Sequence, residues 1–255
     1  MAIREIKIDN KKFKIAYDII NSDKKRDIIF LHGWGSNKEI MKTFANNFKE
    51  FRHIYIDMPG FGKSSNEYIL TTKEYAKIID KFLKQINIKK DIIIGHSFGG
   101  KVATLLNPKI LVLLASAGIL EKKPIRVKLK IKLFKLLRRV GLVKLRKFFV
   151  SDDVKGMSEN MYNTFKNVVD EDFSEIFANY KGEVLIFGAD NDTAVSVEAI
   201  QKQSKLLKSK NIILIGDHYF FTKKENKKII ENKIKEIIWA YFANLQCFQQ
   251  IKVRV

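Results

Sequence analysis

The stretch "DIIIGHSFGGKVATLLN", residues 91–107, decides the fold. Asp91 to Ile94 read as a buried strand and Lys101 to Asn107 as a helix. Between them, Gly95-His96-Ser97-Phe98-Gly99-Gly100 sets one serine among three glycines. A Gly-x-Ser-x-Gly turn after a strand and before a helix forces the serine into a strained conformation, with its hydroxyl above the sheet. Gly95 and Gly99 lack Cβ atoms, so strand and helix can pass close together. The helix start adds a dipole that favours developing negative charge. Ser97 is therefore the candidate nucleophile.

The same strand-then-helix rhythm runs outward from this corner. Apolar, β-rich runs occupy Ile3–Ile8, Phe13–Ile20, Asp27–Leu31, His53–Asp57, Asp91–Gly95, Lys109–Ala115, Glu183–Phe187 and Asn211–Ile215. The last six are short, continuous and rich in Ile, Val and Leu, as strands covered on both faces are. Helical patterns over Asn37–Lys49, Thr72–Ile86, Phe98–Asn107, Val197–Lys208 and Lys224–Leu245 separate them. Strands alternating with helices predict an α/β fold with a mostly parallel, eight-stranded sheet and helices on both faces. The first two runs, joined at Asp9-Asn10, predict an antiparallel hairpin at one edge.

The chain of 255 residues, 46% hydrophobic and 30% charged, is long enough for a substantial core. The N-terminus carries no apolar signal segment, and the apolar runs fall short of the roughly 18 residues a membrane span needs. A single cysteine, Cys247, excludes an intrachain disulfide framework and suits a reducing compartment. These features predict a cytoplasmic protein. No metal cluster or dinucleotide fingerprint is present, so no cofactor is expected.

The net charge of +20 is unevenly placed. Residues 119–181 interrupt the alternation and read as an inserted helical cap, leaving 1–118 and 182–255 as the core. Residues 121–150 hold twelve Lys or Arg against Glu121, and residues 151–175 hold seven acids against two lysines. The basic run, centred on 122–147, is both apolar and cationic and is predicted helical. It suits an acidic carrier protein or an anionic membrane surface as partner, or keeps a greasy cap soluble. No aromatic-basic platform points to nucleic acid.

A serine needs a base held by a third group. Of His32, His53, His96 and His218, the last stands directly after the final strand, at the carboxyl edge where Ser97 lies. His96, inside the elbow, is expected to turn away from Ser97. An acid is wanted after the preceding strand, where "GADNDT" (188–193) offers Asp190 and Asp192. The spacing to Thr193 favours Asp192. Oxyanion donors are expected from the backbone N–H of Phe98 and of Trp34, the latter in "HGWG" (32–35), with the indole in the pocket wall.

Taken together, "HGWG" (32–35), "DMPGFGKS" (57–64), "GHSFGG" (95–100), "GADNDT" (188–193) and "GDHYFF" (216–221) resemble the α/β-hydrolase superfamily, in its cap-bearing serine esterase type. The order Ser97, Asp192, His218 is the order those enzymes use. Asp57, Pro59, Gly60 and Gly62 resemble that family's structural turn. The chain has Val195-Ser196 where the family usually has a proline, and one extra residue before Asp192, which keeps Asp190 in contention. The resemblance implies an acyl-enzyme esterase of small ester or acyl substrates. Thioesterase, carrier-protein methyl esterase and C–C bond hydrolase chemistries share the same triad, and an idle binding protein using its basic cap is the competing class.

Overall fold

The computed structural model describes residues 1–121 and 157–252; of residues 243–252 only the backbone is described. The predicted helices of the basic run 122–147 lie outside the described residues. Eight strands form one sheet: β1 (Ala2–Ile8), β2 (Lys11–Ile20), β3 (Asp27–Leu31), β4 (Arg52–Ile56), β5 (Ile92–His96), β6 (Ile110–Leu114), β7 (Glu183–Ala189) and β8 (Asn211–Leu214). Their order is β1-β2-β4-β3-β5-β6-β7-β8. β1 pairs antiparallel with β2, and β2 antiparallel with β4; the remaining neighbours are parallel. The hairpin turns through Asp9 and Asn10, whose φ of 46° and 64° are values that Asn and Asp tolerate better than most residues.

The described helices are α1 (Lys38–Met41), α2 (Thr72–Gln85), α3 (Phe98–Leu106), α4 (Glu159–Val168), α5 (Ser174–Asn179), α6 (Val197–Leu207) and α7 (Lys224–Lys252). Continuous apolar strands β3, β5 and β6 are buried along their full lengths because helices cover both faces. One face packs Ile29, Ile93 and Leu111 against Ile79, Phe82 and Val102 of α2 and α3. The other packs Phe30, Ile94 and Val112 against Ile230, Ile234 and Ile238 of α7, a stripe at four-residue spacing. α2 begins with a reciprocal cap in which Thr71 and Glu74 bond each other's backbone N–H.

One predicted helix differs. The apolar spacing of Ile40, Met41, Phe44 and Phe48 reads as a helix over 37–49, but α1 ends at Met41 and passes into a 3-10 turn over Lys42–Phe44. Phe48 then adopts a φ of 50°, which reverses the chain. Its carbonyl accepts from His53 Nε2 at 2.9 Å, so a buried histidine fixes the reversal.

The strand order places the site. β3 lies between β4 and β5, so the chain leaves β3 in one direction and later returns on the other side. Open α/β sheets bind ligands at such a switch point, beyond the carboxyl ends of the strands. The loop after β3 is "HGWG" and the turn after β5 is the serine corner.

Candidate active site

Ser97 sits between β5 and α3 with φ 50° and ψ −116°, a region costing about 1–3 kcal/mol in a non-glycine residue. The surroundings hold it there. Ser97 N–H donates to the Leu114 carbonyl at 3.0 Å, and its own carbonyl accepts from Gly100 N–H at 3.0 Å and Ala117 N–H at 3.2 Å. The glycines make the crossing possible. A Cβ on Gly95 would stand 2.5 Å from the Gly99 carbonyl, and one on Gly99 would stand 2.5 Å from the carbonyl oxygens of Leu31 and His32.

The loop after β3 lies against the serine: a Cβ placed on Gly33 would come within 3.1 Å of Ser97 Cβ. His32 governs this loop. Its Nδ1–H donates to the Gly33 carbonyl at 2.7 Å, and its Nε2 accepts from Met58 N–H at 3.0 Å. Because a trans peptide holds C=O and N–H in opposite directions, anchoring the Gly33 carbonyl also fixes the direction of the Trp34 N–H. Phe98 opens α3, so its N–H belongs to the first turn, whose donors find no partner inside the helix.

His218 follows β8 on a loop at the same edge. Its Nδ1–H donates to Asp192 Oδ2 at 2.8 Å. Asp190 is engaged elsewhere: its Oδ1 accepts from Gly216 N–H at 2.8 Å, which ties the acid loop to the loop of His218. The Asp192 side chain is 1% exposed, and its Oδ1 accepts from Ala194 N–H at 2.7 Å and Val195 N–H at 3.0 Å. Burial opposes ionisation of Asp192. The hydrogen bond and charge of His218, with the N–H groups of Val195 and Ala194, outweigh it and hold the carboxyl below its ordinary value.

The remaining walls are aromatic and partly supplied from beyond residue 157. Trp34 packs edge-on to Phe61 at 4.8 Å and Phe98 at 5.4 Å, and against Phe165 of α4 at 5.4 Å between ring centroids. The indole Nε1 is buried without a hydrogen-bond partner. α4 is fastened to the core by polar contacts. Leu70 N–H donates to Thr164 Oγ1 at 3.0 Å, and Asn160 Nδ2 donates to the Asn66 carbonyl at 2.9 Å. Lys101 of α3, 1% exposed, reaches Glu171 at 3.1 Å and the Val168 carbonyl at 2.5 Å. Asp57 accepts from Lys38 N–H at 2.7 Å, Lys38 Nζ at 3.0 Å and Lys63 N–H at 3.0 Å, which makes it an organiser of the neighbouring turn.

The structure thus brings His218 and Asp192 into contact, leaves Asp190 on the backbone, and sets the Trp34 loop against the serine corner. It also shows a contact that reading the sequence missed. His96 Nε2 lies 3.0 Å from the His218 carbonyl. Nothing in the sequence marks that pairing, because the partners are 122 residues apart.

The buried histidines give an acid-sensitive fold. Burial pushes His32 down to about 4 and His96 down to about 3, from the ordinary 6.5. Folded pKa values below the unfolded ones mean stability that is complete above pH 6.5 and is lost as pH falls, since the unfolded chain binds the protons first. At 1.36 kcal/mol per unit, each histidine costs on the order of 2 kcal/mol at pH 5. Urea unfolding at pH 7 and pH 5 is expected to show a drop on the order of 4 kcal/mol, to which carboxylates such as Asp192 add in the same direction. Equal stabilities at the two pH values would contradict neutral buried imidazoles.

Known proteins share this fold and part of this sequence. Residues 28–109 match the family model of the alpha/beta hydrolase fold. Over 81 residues the chain is 35% identical to the pimeloyl-[acyl-carrier protein] methyl ester esterase of Proteus mirabilis, covering 31% of this chain and 30% of that one. Over 78 residues it is 30% identical to the 2-succinyl-6-hydroxy-2,4-cyclohexadiene-1-carboxylate synthase of Citrobacter koseri, covering 31% of each. The matches therefore span about a third of those relatives' length. A thermophilic esterase from Thermogutta terrifontis superposes with a TM-score of 0.70 at 14% identity, over 94% of this chain and 99% of that one. The sheet order, the loops gathered at its switch point and the matched segment give the chain the α/β-hydrolase fold.

Proposed function

We propose that this protein is a serine hydrolase that cleaves carboxylic esters through an acyl-enzyme intermediate. Ser97 Oγ attacks the ester carbonyl while His218 Nε2 takes its proton. The N–H groups of Trp34 and Phe98 donate to the developing oxyanion, and collapse expels the alcohol, protonated by His218. Water then repeats the sequence on the acyl-serine and releases the acid. Asp192 keeps His218 in the tautomer whose Nε2 is free to act.

The observation that carries this reading is the 2.8 Å bond from His218 Nδ1 to a buried Asp192 carboxylate, on the sheet edge that also holds a strained serine. The wall of Trp34, Phe61, Phe98 and Phe165 favours an apolar acyl group over a charged one. The same machinery serves thioesters, carrier-bound methyl esters and C–C bonds, and the Proteus relative carries the name of an esterase for one of these, a methyl ester on a carrier protein. The basic run 122–147 is proposed to meet an acidic carrier protein or an anionic membrane surface, and the cytoplasm is proposed as the compartment. No helix among the described residues is long and apolar enough to cross a membrane.

A hydrolysis panel tests the reading: p-nitrophenyl acetate, hexanoate and decanoate, the matching thioesters, and a methyl ester on a carrier protein. Turnover of the oxygen esters, best with the intermediate chain, is expected. Hydrolysis of thioesters alone would overturn the choice of carboxylic ester.

A further inference from the structure

His96 ends β5, immediately before the candidate nucleophile, and is 1% exposed. Its ring lies 4.5 Å from that of His218 and 4.8 Å from that of Phe221, centroid to centroid. A carbonyl only accepts, so the 3.0 Å contact to the His218 oxygen assigns the proton to His96 Nε2. Nδ1 is then bare. It is buried without a hydrogen-bond partner, pressed against Gly33, where a Cβ would stand 2.9 Å away.

A buried polar atom without a partner costs about 1–3 kcal/mol, a cost that phenylalanine would avoid in the same space. The other nitrogen must therefore justify the imidazole. What it holds is the backbone of the proposed base, and it does so from the residue covalently joined to the proposed nucleophile. The Ser97 backbone is itself fixed to β6 by the Leu114 carbonyl and to the segment after β6 by the Ala117 N–H. The loop of His218 is partly exposed, with Ile215 76% and Tyr219 41% exposed, and two further ties, Gly216 N–H to Asp190 and Asn226 to the Ile215 carbonyl, lie before His218.

We infer that His96 is a positioning residue that ties the His218 loop to the serine corner, so that base and nucleophile share one mechanical reference. The inference rests on the proposed serine-hydrolase reading for its catalytic consequence, but the tether itself can be tested without turnover. His96→Phe keeps the ring volume and removes the donor. His96→Gln carries an amide N–H at a similar reach.

Two measurements apply, on the full chain. In ester hydrolysis, His96→Phe is expected to lower kcat on the order of 10²-fold, the scale of a misplaced catalytic group, while His96→Gln retains most of it. KM is expected to stay within about twofold in both, since substrate binding is not altered. In hydrogen–deuterium exchange, the peptide spanning 214–222 is expected to exchange faster in His96→Phe than in wild type, and at the wild-type rate in His96→Gln. Unchanged kcat in His96→Phe, or an equal fall in both variants, would overturn the positioning role. Unchanged exchange in His96→Phe would overturn the tether. If wild type hydrolyses neither an oxygen ester nor a thioester, the serine-hydrolase reading falls and the exchange experiment alone decides the tether.

Discussion

Replacing Ser97 with alanine is expected to lower p-nitrophenyl ester turnover by about 10⁶-fold, the loss seen when a triad nucleophile of this kind is removed. The size follows from what the hydroxyl does. In the proposed mechanism it forms the covalent bond that splits one hard step into two, and nothing else at this corner is proposed to substitute. The fold is expected to survive, because the strain at φ 50° is held by the backbone bonds to Leu114, Gly100 and Ala117 rather than by the hydroxyl. Matching thermal unfolding of variant and wild type, with turnover gone, is the expected pair of results. A variant keeping about a tenth of wild-type rate would remove Ser97 from the mechanism, since that deficit is some five decades too small.

Asp192→Asn is the second large effect, expected at about 10⁴-fold in kcat. The carboxylate accepts from His218 Nδ1 at 2.8 Å. An asparagine there can present its NH₂ instead, which favours a proton on Nε2 and leaves that nitrogen unable to take the serine proton. The geometry persists while the tautomer is wrong. Asp190→Asn is the matched control. Asp190 receives only a backbone N–H, from Gly216 at 2.8 Å, and an amide oxygen accepts that bond as well. Its effect is expected to remain within about tenfold, as for a loop tie rather than a triad member. Measuring kcat for both variants checks the assignment; a larger loss in Asp190→Asn would transfer the role.

Much of this was legible before any coordinates. The eight strands announce themselves because six are covered on both faces, so Val, Ile and Leu run without interruption, as in Ile110–Leu114. The serine corner is legible because its glycines answer a local steric demand. Choosing Asp192 over Asp190 needed space as well as order: both follow β7, and only the loop path separates the one that meets His218. Two features were hidden for different reasons. The early end of α1 depends on Phe48 turning at φ 50° to receive His53, a tertiary contact that overrides an apolar helical spacing. The bond from His96 to the His218 carbonyl involves backbone, so no residue type at position 218 encodes it. The loop after β3 is intermediate. His-Gly-Trp-Gly advertises a flexible turn, but only the His32 to Gly33 bond shows how the peptide is oriented.

The central claim is that Ser97 is a nucleophile activated by His218. The most direct measurement is mass-spectrometric mapping of a fluorophosphonate adduct on the native protein and on His218→Ala. The account predicts one stoichiometric phosphonate on Ser97 in the native protein and its disappearance in His218→Ala. A folded native protein that stays unlabelled, or carries the adduct on another residue, would contradict it.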